Sequence, residues 1–339
     1  MEFLSVSEES LAKAAQVLRN GGIVAFPTET VYGLGADAFN ADAIVKIFEA
    51  KCRPYFDPLI IHIDNIDTLG KAADFSQLSE DTKRKLFKLI DCFWPGPLSF
   101  VLPKSDKIPG IATAGLHTAA IRLPANESAR KLIELAGGAV AAPSANPFGA
   151  LSPTTAQHVK DGLGDKVDII LDGGAALVGV ESTVLDLSKG EVRLLRHGGV
   201  PKEEIEKIVK VSGQGTEDNN TAGFVSPGQL KSHYAPRTPL TVFAKEELSN
   251  LPYEENSAYL FFDNASKEKF EQGACFTRKM TLNIKVLSPL GNVPEAAAGL
   301  FEILHKLDSL GVRHIFAQLA PQEGLGAAIN DRLVRAGSK

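Results

Sequence analysis

Residues 22–35 read Gly22-Ile23-Val24-Ala25-Phe26-Pro27-Thr28-Glu29-Thr30-Val31-Tyr32-Gly33-Leu34-Gly35, a short apolar run that gives way at once to two hydroxyls, a carboxylate and a phenol. The stretch before it, 7–19, opens on Ser7, has Glu8 and Glu9 in its first turn, and sets Leu11, Ala14, Ala15 and Leu18 on one helical face before Gly21-Gly22. A cap, a 3.6-residue apolar period and a glycine stop predict an amphipathic helix that feeds a strand. Polar groups directly after a buried strand commonly line a ligand site in α/β folds. The alternative is a turn whose hydroxyls bond their own backbone.

Outward from this unit the same alternation continues to about residue 210. Apolar, β-branched runs at 59–63, 99–102, 119–123, 140–142, 169–171 and 183–187 predict strands, and a helix is expected over 41–50. Several of the runs are continuous rather than alternating, which predicts strands covered on both faces. Residues 210–237 are rich in Gly, Ser, Asn, Asp and Pro and follow neither hydrophobic period, so they read as a linker. The linker carries Lys231, His233 and Tyr234 close together, which suits a lid loop packed over a site better than a passive tether. Beyond it, strands are predicted at 240–243, 258–262, 284–287 and 314–319 and helices at 293–310 and 327–335. The fold class is therefore α/β, with a domain over 1–209, the linker over 210–237 and a smaller α/β domain over 238–339.

A chain of 339 residues with 44% hydrophobic and 23% charged side chains has an ordinary globular composition and exceeds what one core usually serves, which agrees with two domains. The formal net charge of −5 counts against a protein whose main work is gripping nucleic-acid backbone, while leaving room for a small anion in a local basic pocket. Cys52, Cys92 and Cys275 form no Cys-x-x-Cys pair and imply neither a disulfide framework nor a zinc site. The N-terminal stretch has acids where a signal peptide needs bases, and no apolar run reaches membrane-spanning length, so a cytoplasmic protein without a membrane partner is expected.

Several motifs point to an anionic ligand. In Lys51-Cys52-Arg53-Pro54 two cations follow a helix and precede a proline that ends it, so they can converge on one anion, the lysine as a point charge and the arginine as a clamp. Alone, the feature also reads as a solvated basic helix end. Ala142-Pro143-Ser144-Ala145-Asn146 ends a strand with small residues that let a ligand approach the backbone, and Ser152-Pro153-Thr154 reads as a capped helix start aiming N–H groups at an anion, or as capping alone. Gly179-Val180-Glu181-Ser182 and Leu195-Arg196-His197-Gly198 repeat the pattern of polar residues beside a strand. Arg122 lies inside the apolar run Ala120-Ile121-Arg122-Leu123 and needs an anionic partner, either a ligand or a structural salt bridge. Gly33-x-Gly35-x-x-Ala38 matches a dinucleotide fingerprint by letters only, and no phosphate-binding P-loop occurs.

Taken in order, 27–35, Lys51-x-Arg53-Pro54, Trp94-Pro95-Gly96-Pro97-Leu98, Pro143-Ser144-Ala145-Asn146, Ser152-Pro153-Thr154, Gly179 to Thr183 and Leu195-Arg196-x-Gly198 resemble the threonylcarbamoyl-AMP synthase family with its YrdC-like domain. Ser226-Pro227-Gly228, His233-Tyr234-Ala235-Pro236 and 324–332 extend the resemblance to the family's long, two-domain form. It implies a twisted mixed sheet flanked by helices, followed by a Rossmann-like C-terminal domain. It also implies formation of threonylcarbamoyl-AMP, pyrophosphate and water from L-threonine, bicarbonate and ATP. By the family's pattern Lys51, Arg53, Thr118, Ser144, Asn146, Ser152, Arg196 and Tyr234 bind ATP, with Lys51 and Arg53 acting in catalysis. Thr28, His62, Arg122 and Ser182 bind threonine. Mg2+ is implied on the ATP phosphates without a dedicated protein site, with Glu29 as an outer-sphere candidate. A downstream tRNA threonylcarbamoyl transferase, and a weak contact with RNA, are the implied partners. The chain departs from the pattern at Asp57, where Asn is frequent, and at His197, where Pro is frequent. Two competing readings are a non-enzymatic RNA-binding module and carbamoyl-adenylate transfer in hydrogenase maturation; proteins of the latter kind carry Cys-x-x-Cys modules that this chain lacks.

Overall fold

The helix expected over 7–19 spans Glu8–Arg19, and Ser7 caps it: its hydroxyl accepts from Ser10 N–H while the Ser10 hydroxyl accepts from Ser7 N–H. Each bond satisfies a backbone donor that a helix start leaves open. The computed structural model describes residues 1–212, 233–273 and 283–338. The chain divides into two bodies, Met1–Phe148, Ser152–Leu177 and Glu181–Leu230 in the first, and Gly149–Leu151, Val178–Val180 and Lys231–Lys339 in the second. Ser226, Pro227, Gly228, Lys231 and Cys275, singled out in the sequence, lie outside the described residues.

The first body runs β1 (Glu2–Ser5), α1 (Glu8–Arg19), β2 (Val24–Phe26), β3 (Gly33–Asp37), α2 (Ala41–Lys51), β4 (Ile60–Ile63), α3 (Leu69–Ala72), α4 (Glu80–Phe93), β5 (Leu98–Pro103), β6 (Thr118–Arg122), α5 (Glu127–Ala136), β7 (Ala139–Ala141), α6 (Ala156–Leu163), β8 (Ile169–Asp172), β9 (Thr183–Asp186), β10 (Arg193–Arg196) and α7 (Lys202–Glu206). Its strands form one mixed sheet in the order β1-β8-β2-β3-β7-β4-β6-β5-β9-β10. Strand alternation then sorts the side chains. Leu34, Ile61, Phe100, Ile121, Leu185 and Leu194 share the main core with Ile44 and Ile47 of α2, Leu86 and Leu89 of α4 and Val159 of α6. On the other face Val24, Phe26, Val140 and Ile169 pack beneath α1 and α5. Farther along that same face, where His62 is paired with Val140, lies a separate apolar floor of Ile60, Val101, Ala120 and Val184. Coverage on both faces is why these strands read as continuous apolar runs.

Gly33 and Gly35 belong to strand β3, in keeping with a fingerprint match of letters only; a Cβ at Gly35 would meet Val140 Cγ1 at 2.7 Å and Phe26 Cε1 at 2.8 Å, so the glycine makes room for the core. One local reading is corrected. Ser152 does not cap a helix: α6 starts later, with Thr155 as its cap accepting from His158 N–H. Helices α4 and α5, with buried faces at Leu86, Leu89 and Ile90 and at Ala129, Leu132 and Ile133, are among the elements beyond those expected from the sequence.

The second body contains β11 (Leu240–Phe243), β12 (Ser257–Phe261), α8 (Asn264–Gly273), β13 (Asn283–Val286), α9 (Val293–Asp308), β14 (His314–Gln318) and α10 (Gly326–Ala336). Its parallel sheet has the order β11-β14-β12-β13. The ring cluster Tyr259, Phe261, Phe270 and Phe316 fills one side of it. Every strand and helix predicted here is present; α8, whose buried residues are only Ser266 and Phe270, carries too little apolar periodicity to be read in advance.

Candidate active site

Lys51 is the last residue of α2 and is buried, its ammonium donating to the carbonyl oxygens of Ser144 and Asn146 in the loop after β7. Burial, followed by the neighbouring Arg53, pushes its pKa well below the ordinary lysine value, with Asp57 opposing. Arg53, also buried, donates to the carbonyls of Asp57 at 3.1 Å and Pro58 at 2.8 Å and lies over the Phe148 ring. Its Nη2 is 2.9 Å from Asp57 Oδ2, close enough for ion pairing but without the alignment of a hydrogen bond. Burial raises the Asp57 carboxyl against the pull of Arg53, Lys51 and Arg196. Three cations from the end of α2, the turn after it and β10 thus act on one position.

Arg196 reaches the motif before β9, donating through Nε and Nη2 to Ser182 O and through Nη2 to Ser182 Oγ at 3.1 Å. Ser182 Oγ is 2.8 Å from Ser99 Oγ. Ser99 was missed in the sequence, although a serine inside the apolar run Leu98-Ser99-Phe100-Val101-Leu102 is the available signal. Its strand parity places it beside Val101, on the face of the small apolar floor. Ser152 donates to Glu181 Oε1, both residues being buried. Gly198 backs directly onto this motif: a Cβ there would lie 2.3 Å from backbone atoms of Glu181, Ser182 and Thr183.

Arg122, the last residue of β6, is buried and donates to Gly96 O at 3.2 Å, Thr30 Oγ1 at 2.9 Å and Glu29 Oε1 at 2.5 Å. Glu29 therefore supplies the anion that an arginine among apolar neighbours requires. Burial raises the Glu29 carboxyl, but the charge and hydrogen bond of Arg122 outweigh it and hold the pKa below its ordinary value. Thr28 Oγ donates to Val31 O at 2.6 Å and contacts Thr30 Oγ1 at 2.8 Å, so the turn reading holds for its own bonds while the turn builds the surroundings of Arg122. His62 is the register partner of Arg122 between β4 and β6, and burial followed by Arg122 lowers its pKa to about 3.

The structure thus brings Lys51, Arg53, Ser144, Asn146 and Arg196 into one linked group and Thr28, His62 and Arg122 into another. Thr118 begins the strand that Arg122 ends and shares its face, about 13 Å away at the usual rise per residue. Tyr234 lies in the second body, buried, with Arg332 4.9 Å over its ring and Phe301 beside it.

Fold and site define an α/β protein with a buried cluster of cations around Asp57 and a buried arginine–carboxylate pair. The family described as telomere recombination, whose name joins Sua5, YciO and YrdC, matches residues 16–198, and the threonylcarbamoyl-AMP synthase C-terminal domain matches 200–338. The threonylcarbamoyl-AMP synthase of Pyrococcus abyssi is 39% identical, with 98% of this chain and 95% of that protein covered. That of Bacillus subtilis is 40% identical, with 98% and 94% covered. A crystal structure of P. abyssi Sua5 complexed with L-threonine superposes with a TM-score of 0.84 at 37% identity, covering 99% of this chain and 96% of that one. The chain belongs to the threonylcarbamoyl-AMP synthase family, and it is an enzyme that makes an adenylate with ATP as substrate.

Proposed function

We propose that the protein works in the cytoplasm and joins L-threonine, bicarbonate and ATP into L-threonylcarbamoyl-AMP, pyrophosphate and water, for use by a separate tRNA threonylcarbamoyl transferase. The observation that supports this reading is the convergence of Lys51, Arg53 and Arg196 on Asp57, a buried concentration of positive charge suited to a polyphosphate. In this reading the amine of threonine takes up CO2 derived from bicarbonate as a carbamate. A carbamate oxygen then forms a bond to the α-phosphorus of ATP as the bond to pyrophosphate breaks. No protein nucleophile is needed; the chain contributes by positioning two anions and by fixed charge aimed at the phosphate.

Lys51, Arg53, Ser144, Asn146, Ser152 and Arg196 take the nucleotide, Thr118 contributing from the start of β6, and Thr28, His62, Arg122 and Ser182 take threonine. The assignment of Tyr234 to the nucleotide rests on the resemblance alone, and the ATP affinity of Tyr234→Ala tests it. In this reading Mg2+ arrives on the ATP phosphates with most of its waters, as the ion's preference for retained water and substrate phosphates suggests. No helix among the described residues is long and apolar enough to cross a membrane. A weak contact with RNA belongs to the same reading and would show as salt-sensitive retention of tRNA.

The deciding experiment incubates pure protein with ATP, Mg2+, labelled bicarbonate and each amino acid in turn, and identifies adenylates by mass. Label in a threonine-containing adenylate is the expected result. ATP turnover with no such product would refute the reading.

A further inference from the structure

Glu29 Oε2 is a buried carboxylate oxygen with no hydrogen-bond partner at bonding geometry among the described residues, although the backbone N–H groups of Ala125 and of Glu29 itself also stabilise the carboxylate charge. The residue is 7% exposed, and its other oxygen is taken by Arg122. Buried charged oxygens are otherwise hydrogen-bonded, because leaving water without a replacement donor is unfavourable. A ligand that carries a donor would complete its hydrogen bonding.

Arg122 has the complementary surplus. Of the N–H groups of its guanidinium, the one on Nε goes to Gly96 O, one on Nη1 to Thr30 and one on Nη2 to Glu29. One N–H on each terminal nitrogen remains. An arginine with donors to spare and a carboxylate with an acceptor to spare thus stand one hydrogen bond apart. An α-amino acid carries the opposite arrangement, a carboxylate and an ammonium on a single carbon.

We propose that Glu29 is a substrate-binding residue whose Oε2 accepts a hydrogen bond from the α-ammonium of the incoming amino acid while Arg122 takes its carboxylate. This deepens the proposed function and rests on its placing of threonine at Arg122. Three features of the surroundings agree. Arg122 keeps Glu29 in its charged, acceptor-only form. His62, the register partner of Arg122, is held neutral and offers no competing cation. Thr30 is already engaged by Arg122 and by Thr28, which leaves Glu29 as the open acceptor. A ligand with a carboxylate but no ammonium would satisfy Arg122 and leave Glu29 Oε2 bare, so the pair selects for amino acids over hydroxy acids.

The test compares two ligands on the full-length chain by calorimetry: threonine, and 3-hydroxybutanoate, which keeps the carboxylate and the hydroxyl and lacks the amine. Wild-type protein should bind threonine at least tenfold more tightly. Glu29→Gln should weaken threonine tenfold or more, leave 3-hydroxybutanoate unchanged or tighter, and leave ATP affinity unchanged. Should that variant fold poorly, Glu29→Asp, which withdraws the oxygen by one methylene, should give the same pattern. Equal weakening of both ligands would show that Glu29 only orients Arg122, and would overturn the assignment while the proposed function stood. Equal affinity of wild-type protein for the two ligands would overturn it without any variant. Wild-type protein that forms no threonylcarbamoyl-AMP would overturn the proposed function and this assignment together.

Discussion

His62 and Arg122 are register partners in the parallel pair β4–β6, a neutral imidazole set beside a guanidinium, with the histidine pKa lowered from 6.5 to about 3 by burial and by that arginine. An unfolded chain regains the ordinary value, so between these two values the unfolded state binds the extra proton. The stability contributed is fully present above pH 6.5 and is lost as the pH falls through that window toward 3. At about 1.4 kcal/mol per unit, acidification to about pH 4 should remove about 3 kcal/mol through this residue. Urea unfolding of wild type and His62→Gln at neutral pH and at pH 4 checks it: the variant should lose less stability, and equal losses would mean that another group carries the effect.

Arg122→Ala strands Glu29 as a buried carboxylate without its cation. Removing one member of a buried pair typically costs about 3–5 kcal/mol. A lower unfolding midpoint and loss of threonine-dependent adenylate formation are expected together. Adding Glu29→Gln to that variant should restore part of the stability and none of the activity. Wild-type catalytic efficiency in Arg122→Ala would remove the arginine from the threonine site.

Lys51 is held below its ordinary pKa and Asp57 above its own. The negative charge of ATP raises both, so any proton that these two groups exchange when nucleotide binds should be taken up and not released. Calorimetry of ATP binding in buffers of different ionisation enthalpy reads the number of protons directly. Asp57→Asn should tighten ATP. The carboxylate it removes repels phosphate by about 2 kcal/mol at a separation of about 8 Å and an effective dielectric of about 20. Proton release on binding would contradict the arrangement of charges described for this site.

Gly198→Ala puts a methyl against backbone of residues 181–183, which, unlike a flexible side chain, cannot swing aside. Destabilisation of about 3 kcal/mol is expected. Because the displaced segment carries the Ser182 groups that hold Arg196, ATP affinity should fall as well. An alanine variant with unchanged ATP affinity would show that Arg196 is positioned by something else.

What could be read in advance and what could not follow from the range of the forces involved. The α1 cap, the apolar face of that helix, and the strands at 240–243 and 314–319 depend on neighbours a few residues away, so their signals are local and legible. The motif residues at strand ends were legible for the same reason, since a polar residue interrupting an apolar run announces itself. Helix α8 was not, because its packing rests on Phe270 and not on a repeating face.

Residue order alone was enough for the α/β class, the family, and the residues that carry charge into apolar surroundings. Which of those charges meet is set by the folded chain. Arg196 acts on Asp57 because β10, far from it in the chain, is carried to it by a sheet whose strand order is not the chain order, whereas Lys51 and Arg53 are its near neighbours in sequence. Arg122 finds Glu29 for the same reason: one is the end of β6, the other lies in the turn after β2, and no local pattern links a cation to an anion across that distance in sequence. Pairing of charges in a low-dielectric interior is a property of proximity in space, which packing of the whole sheet sets and neighbouring residues do not encode.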